Sequence, residues 1–395
     1  MALGVLINFS LLLLLQKLST SLAIGAVLAL AGWIRFGRSL RSESPFERPG
    51  VPAILSCIYV VILFYFNALG EGIAAWDPRS VWFFHSKMIW LNGGIDSGAG
   101  WNDPSIQWSH VDYPNLIPAL GAQMAWVMGY WNEFIPKGGL FLALLPALFL
   151  IFSFFRFRFS FLFLFLCAFF SLNPYLLSGY MDGPLALYAL VGALLLGRFA
   201  ESKKQRDAYT VVSLFGIMLG LKNEGVLLAL CLLVCFRISH TFLKSSAFKR
   251  ILALSLLPAL IWFMDKKFWS IHGELFDGDL SARLLERALS ADALGMIFKS
   301  MLLGPALIAI GFLVLAFALT RIFAVEFPRF VLGMGLACFL YEAGLFGAYL
   351  VTPYELSWHL QTSADRISLV GESLIFAMSY LFLERIDSRK SVNPS

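Results

Sequence analysis

Apolar runs about as long as a bilayer is thick recur along this chain, and no other feature limits its fold so strongly. A spanning helix needs about 20 mostly apolar residues. Such runs lie at 51–69, 114–132, 138–155, 159–176, 179–197, 251–269, 301–319, 329–350 and 367–383. Hydrophobic residues make up 59% of the 395 and charged residues 14%, against about 45–50% and about 25% in soluble domains. A soluble surface cannot be built from so few polar groups. The expectation is an all-α polytopic membrane protein, one integral membrane domain over 1–395, with about 11–12 transmembrane helices.

The net charge of +5, from 30 Lys and Arg against 25 Asp and Glu, does not indicate a nucleic-acid partner. The basic residues fall in short clusters between apolar runs, where they orient helices. Arg35, Arg38, Arg41 and Arg48 place 35–50 in the cytoplasm; so do Arg198, Lys203, Lys204 and Arg206 for 198–206. Arg237, Lys244, Lys249 and Arg250 mark the next cytoplasmic segment, and Arg385, Arg389 and Lys390 the tail. Counting crossings then puts 70–113 outside as a first outer loop, 264–293 as a second and 351–366 as a late one. The stretch 207–239 starts and ends in the cytoplasm, so it must cross twice, as two helices of about 14 residues each. Lys222, Asn223 and Glu224 occupy their outer tip. Three apolar runs lie between 114 and 178 where an even number is required; with Arg156 and Arg158 cytoplasmic, 114–132 enters the outer leaflet without crossing.

The N-terminal runs 2–15 and 22–34 read as a short hairpin or one interrupted helix, not a cleaved signal peptide, since no basic stretch precedes them. The cysteines Cys57, Cys167, Cys231, Cys235 and Cys338 lie inside apolar segments and read as small buried hydrophobes.

The unusual polar residues gather on the outer side. The first loop carries Asp77, Arg79, His85, Lys87, Asp96, Asp103, His110, Asp112 and Tyr113. Later segments bring Asp182, then Lys222 and Glu224, then His272, Asp277 and Asp279, and finally Trp358, His359, Asp365 and Arg366. Ionisable groups at membrane depth are expensive and usually functional. Lys222 and Arg366 suit a phosphate headgroup, Arg by its planar fork and Lys as a point charge. A carboxylate just outside the first long helix suits a general base on an incoming hydroxyl. Phe- and Leu-lined grooves suit a polyprenyl chain. Each residue also has a plainer reading. Asp77 before Pro78 makes a helix cap, as does Asp182. Lys222 and Glu224 can pair at a turn, Arg366 can anchor an interface, and Tyr113 can belong to an aromatic belt. His85 and Lys87 fit one turn of an amphipathic loop helix, and His272, Asp277 and Asp279 a solvated loop.

An aspartate before a long loop and four short motifs, in order, resemble those of GT-C glycosyltransferases, in the bacterial branch related to protein O-mannosyltransferases and lipid A aminoarabinose transferases. Asp77 followed by a long loop is similar to that fold's first outer loop, and His110-Val111-Asp112-Tyr113-Pro114 to its Tyr-Pro motif. Gly179-Tyr180-Met181-Asp182-Gly183-Pro184 resembles the helix start bearing a second aspartate, and Leu221-Lys222-Asn223-Glu224-Gly225 the lysine turn. Thr352-Pro353 with Trp358-His359-Leu360 and Asp365-Arg366 resembles the late outer-loop motif. The likeness spans roughly residues 50–385.

The resemblance implies an inverting transferase that moves a sugar from a polyprenyl-phosphate donor to an acceptor hydroxyl on a glycan, lipid or protein. It implies a bacterial inner membrane with the active site facing the periplasm. Asp77 would be the base, Lys222 and Arg366 would hold the lipid phosphate, and Asp182 would orient groups around the sugar. His110, Tyr113, Glu224, Trp358 and His359 would shape the substrate pocket. Pro78 stands where many relatives carry a second acid, so no tightly bound cofactor or metal is expected, although the chemistry does not exclude a divalent ion. Two other readings stand beside it: a glycan polymerase or ligase using lipid-pyrophosphate donors, and a lipid or solute transporter. No internal repeat of the transporter kind is visible.

Overall fold

The computed structural model describes residues 1–42, 70–95, 100–152, 175–236, 245–273, 278–302, 305–323 and 330–392, with isolated residues between 51 and 66 and Phe154. The expected spans 51–69 and 159–176 therefore lie largely outside the described residues, as do Arg48, Asp96, Arg156, Arg158 and Asp277. Among the described residues the chain is helical and holds no strand, only one isolated bridge between Lys17 and Gly94.

The N-terminus is a hairpin, not one interrupted helix. Helix α1 (Ala2–Leu15) stops at Gln16, which turns left-handed (φ 57°) and donates its amide to Leu12 O. Helix α2 (Leu18–Ser42) then folds back against α1. The turn is tied to the segment 70–113, where Leu18 N donates to Gly93 O (2.9 Å) and Ile95 N to Gln16 O (3.1 Å).

The segment 70–113 contains a π-helical turn, Pro78–Trp82, running into α3 (Phe83–Leu91), and a 3-10 turn, Pro104–Ser109, capped by the Asp103 carboxylate. Two shorter apolar helices follow, α4 (Leu116–Met128) and α5 (Lys137–Phe152). The central helix α6 (Asp182–Ser202) is apolar on every face and so must be enclosed by others; 89% of its apolar window is buried. Against it pack α7 (Gln205–Leu221) and α8 (Glu224–Phe236), while α9 (Ser246–Phe268) packs on α7 and α1. The C-terminal part comprises α10 (Leu280–Ala288), α11 (Ala291–Leu302), α12 (Pro305–Ile322), α13 (Phe330–Val351), α14 (Leu356–Ile367) and α15 (Leu369–Val392).

Among the described residues, four helical stretches are long and apolar enough to cross a membrane: α6, α9, α13 and the run Leu356–Ile386 through α14 and α15. A fifth is formed if α11 and α12, bent by 62°, count as one. The outer helices α9 and α13 bury only 22% and 28% of their apolar windows. They present Phe263, Met264, Phe268, Leu332 and Phe339 to the surroundings. Apolar faces of this extent suit lipid, not water; the protein is an all-α integral membrane protein.

The apolar run 207–239 is the expected pair of short helices, α7 and α8, broken at Lys222-Asn223. Two expected outer loops prove largely helical. The segment 351–366 holds α14, because Glu355 caps it by accepting from the amides of Ser357 (2.9 Å) and Trp358 (2.7 Å). The segment 264–293 holds the end of α9, all of α10 and the start of α11. Helix α10 lies against the end of α13: Arg287 donates to Tyr349 O (3.0 Å), Thr352 O (2.9 Å) and Tyr354 O (3.0 Å), and Arg283 to Val351 O (2.8 Å). Those carbonyls are orphans of a helix terminus, and cations complement that end of the dipole.

Candidate functional site

Helix order brings four separated segments to one end of the bundle. Helix α6 starts at Asp182 and runs to Ser202; α7 returns, leaving Lys222 beside the start of α6. Helix α15 starts at that same end, just after Arg366. The opposite end is marked by Arg198 paired with Asp207 (2.8 Å) and by Arg385 paired with Glu201.

Asp77 is the residue before the Pro78 turn, yet its carboxylate makes no cap bond. It pairs with Arg366 Nη1 instead. The same Nη1 lies 3.4 Å from Asp182 Oδ2. The other oxygen of Asp182 accepts from Lys222 Nζ at 2.8 Å, and Lys222 in turn lies 2.9 Å from Glu224 Oε1. Five charged side chains thus form one chain: Asp77, Arg366, Asp182, Lys222, Glu224. Asp182 and Lys222 are almost closed to solvent, with side chains 4% and 8% exposed, whereas 31% of the Asp77 side chain is exposed. Of the three carboxylates Asp77 is the most exposed, ahead of Glu224 at 25%.

Local sequence explains each position. Lys222 is the extended residue between two helices, so its side chain leaves α7 at the dipole's negative end while Glu224 opens α8 at the positive end. Asp182 sits in the first turn of α6, where a carboxylate is favoured. Arg366 lies in the last turn of α14, with Nε donating to Thr362 O at 3.1 Å. Its guanidinium also stacks over the Tyr180 ring at 4.9 Å. Gly179 has φ 103°, and any side chain there would collide with Phe83 and Pro78. That close approach seats the Asp77 turn against the Gly179-Tyr180 strand of chain.

A second layer adjoins the charges. Tyr113 is stacked between Trp82 (5.3 Å) and His110 (5.2 Å), with His110 in the left-handed conformation. Burial, then the Glu224 carboxylate, pushes the Tyr113 phenol well above its ordinary range. Next to it Asn223 Nδ2 donates to Asp112 Oδ2 (2.8 Å), and Lys266 Nζ to Asp112 O (3.1 Å). This ties the lysine turn to the Tyr-Pro segment.

The expected residues separate into groups. Asp77, Asp182, Lys222, Glu224 and Arg366 form the charge chain, with His110 and Tyr113 beside it. His359 faces Tyr349 (5.0 Å) and Tyr354 (5.5 Å). Trp358 is 54% exposed and packs on Tyr354, so it lies on the rim. His85 is not on an amphipathic surface turn but fully buried, bonded to Asn115 (3.2 Å) and Ser109 (3.0 Å). Burial there lowers its pKa to about 3, so it is a neutral structural residue. Lys222 and Arg366, expected as open cations, are both already engaged by carboxylates. Tyr180 and Lys266 are additions that hydropathy did not single out, Tyr180 standing two residues before Asp182, whereas Asn223 lies at the expected tip.

Comparison with known protein families, with characterised proteins and with solved structures finds no match. Among the described residues no three His, Cys, Asp or Glu side chains gather as metal ligands.

Proposed function

We propose that this protein is a membrane-embedded glycosyltransferase, transferring a sugar from a polyprenyl-phosphate donor to an acceptor hydroxyl at the end of the bundle that holds Asp77. By the clustering of basic residues at the other end, the site faces away from the cytoplasm. The observation that carries this reading is the charge chain from Asp77 through Arg366, Asp182 and Lys222 to Glu224. It joins four of the five segments that resemble those of GT-C enzymes.

Three carboxylates and two cations leave the chain one negative charge in excess when all are ionised, a poor resting place for a phosphate. Donor binding therefore requires an exchange. The donor phosphate takes the Arg366 guanidinium from Asp77, while Asp182 and the Tyr180 ring hold the guanidinium in place. Asp77 Oδ2 is then free to accept a proton. The acceptor oxygen attacks the anomeric carbon, its proton passes to Asp77, and the bond to the phosphate oxygen breaks with the electron pair leaving on the lipid phosphate. Arg366 and Lys222 stabilise that developing charge. Asp182 is too enclosed to meet an acceptor and serves to position both cations.

The test is sugar transfer by purified protein in nanodiscs, offered a panel of radiolabelled polyprenyl-phosphate sugars and a membrane lipid extract. Transfer by the wild type and its near-total loss in a folded Asp77→Asn protein is the expected result. Equal rates in the two proteins remove Asp77 as the base. A wild type that neither transfers nor binds any donor overturns the assignment in favour of transport.

A further inference from the structure

Away from the charge chain, α11, α12, α13 and α15 border a half-open cavity of about 380 Å³, with Phe298 and Phe339 on its exposed rim. That is within the range of about 300–1,000 Å³ typical of small-molecule sites. Its wall is largely apolar, with Phe298, Ile310, Phe346 and Ile375 among the lining residues, but two carboxyl groups also face it, Glu342 and Glu372. Glu372 is 2% exposed; one of its oxygens is 3.4 Å from the Ser368 hydroxyl and Oε2 has no partner. Oε1 of Glu342 likewise has none. Among the described residues neither carboxyl takes part in an ion pair, in contrast to Asp77, Asp182 and Glu224.

An orphaned carboxyl oxygen in an apolar wall is costly unless something donates to it. The position is also shaped for the group it holds. A Cβ at Gly371 would overlap Glu342 Oε1, so the absence of a side chain at 371 is what admits the Glu342 carboxyl. Glu342 lies in the middle of α13, far from either helix end where a carboxylate could reach water. Membrane-depth acids of this kind face partners or ligands.

We infer that this cavity is a binding site for an amphiphile with a primary-amine head, its head donating to Glu342 and Glu372 and its apolar body filling the Phe- and Ile-lined remainder. A carboxylate-bearing ligand brings no donor and no opposite charge to the two acids, and an alcohol offers a single donor and no charge. The amine can belong to a free long-chain amine or to a lipid with an amino headgroup; the chemistry at the two acids is the same.

The experiment measures saturable binding of radiolabelled dodecylamine to the full-length protein in phosphatidylcholine nanodiscs, above that of empty nanodiscs. Saturable binding weakened at least tenfold in Glu372→Gln and in Glu342→Gln is expected, with Gly371→Ala weakened as well and dodecanol a poor competitor. The Gln variants keep the size of the side chain, and their elution profile and melting temperature report that they are folded. Replacing part of the phosphatidylcholine by phosphatidylethanolamine separates the sources: competition assigns the site to the lipid headgroup, and its absence to a free amine. Unchanged dodecylamine binding in the double Gln variant, or dodecanol competing as well as the amine, overturns the inference.

Discussion

Asp182 gives the sharpest test of whether the charge chain organises this end of the bundle. Replacing it by Ala removes the 2.8 Å partner of Lys222 and the 3.4 Å partner of Arg366 together. At an effective dielectric near 20 those attractions amount to about 6 and about 5 kcal/mol before desolvation is counted. Most of that is offset by the cost of taking the charges out of water, so the gross figures are ceilings. What remains is the cost of a stranded buried cation, about 3–5 kcal/mol when one member of a buried pair is deleted. Here the lower end applies, since Lys222 keeps Glu224 and Arg366 keeps Asp77. An internal control lies at the opposite end of α6, where Arg385 and Glu201 form a pair with side chains 43% and 49% exposed. A pair that open is worth below about 1 kcal/mol. Unfolding by SDS in mixed micelles, followed by tryptophan fluorescence, compares the two sites in one protein. Asp182→Ala should cost about 3 kcal/mol and Glu201→Ala less than about 1 kcal/mol. The double variant Asp182→Ala, Lys222→Ala should be less damaged than the sum of its singles by about 2 kcal/mol. If Asp182→Ala is no worse than Glu201→Ala, or the double cycle is additive, the buried chain is not holding this end together.

Other consequences follow from single positions. Gly179→Ala combines a left-handed backbone with overlap against Pro78 and Phe83; it should destabilise by more than about 1 kcal/mol and lower the yield of monodisperse protein, which size-exclusion chromatography reads directly. His85 has a folded pKa of about 3, below its ordinary value of about 6.5. The unfolded chain therefore takes up a proton first, and stability present above pH 6.5 declines as pH falls toward 3, by about 1.4 kcal/mol per pH unit. Melting curves between pH 7 and 5 should show that slope in the wild type and a flatter one in His85→Gln. Arg366→Lys keeps the charge but loses the fork and the contact with Tyr180; transfer in the proposed reaction should fall about 10²-fold, and a rate equal to wild type would show that the guanidinium is dispensable. Glu355→Ala removes the cap of α14 and should cost about 1 kcal/mol, measured in the same SDS titration.

Hydropathy and charge parity made much of this arrangement readable in advance. The tip at Lys222 is legible because the apolar run is long enough for two short helices and offers only one polar break to turn at. The start of α6 at Asp182 and the position of Arg366 before α15 followed from the same counting, which assigns a side to each residue. Counting sides cannot assign partners. Nothing local distinguishes a lysine that waits for a phosphate from one already neutralised by Asp182, since the two residues are 40 positions apart. The helical character of 351–366 was missed for a related reason. Its cap is Glu355, an uncommon residue for that role, and the chain leading into that cap is held by Arg287 from another helix.

The acids Glu342 and Glu372 show the same limit from the opposite direction. Each stands alone in an apolar run, and one charge per run does not disturb a hydropathy average, so neither attracted notice beside the crowded outer segments. Yet isolation is the informative property. Five charges crowded at one end can neutralise each other, and the geometry shows that they do, with every member of the chain from Asp77 to Glu224 in contact with an opposite charge. Two acids brought together from α13 and α15, with Gly371 making room for one of them, have no such internal solution among the described residues. The self-compensated cluster can stand empty and still be stable, and takes a substrate only by exchanging partners. The uncompensated pair places its demand on something outside the chain. Density of polar residues thus locates the place where chemistry can be arranged, while the solitary acids in apolar runs locate where a ligand is needed to complete the structure.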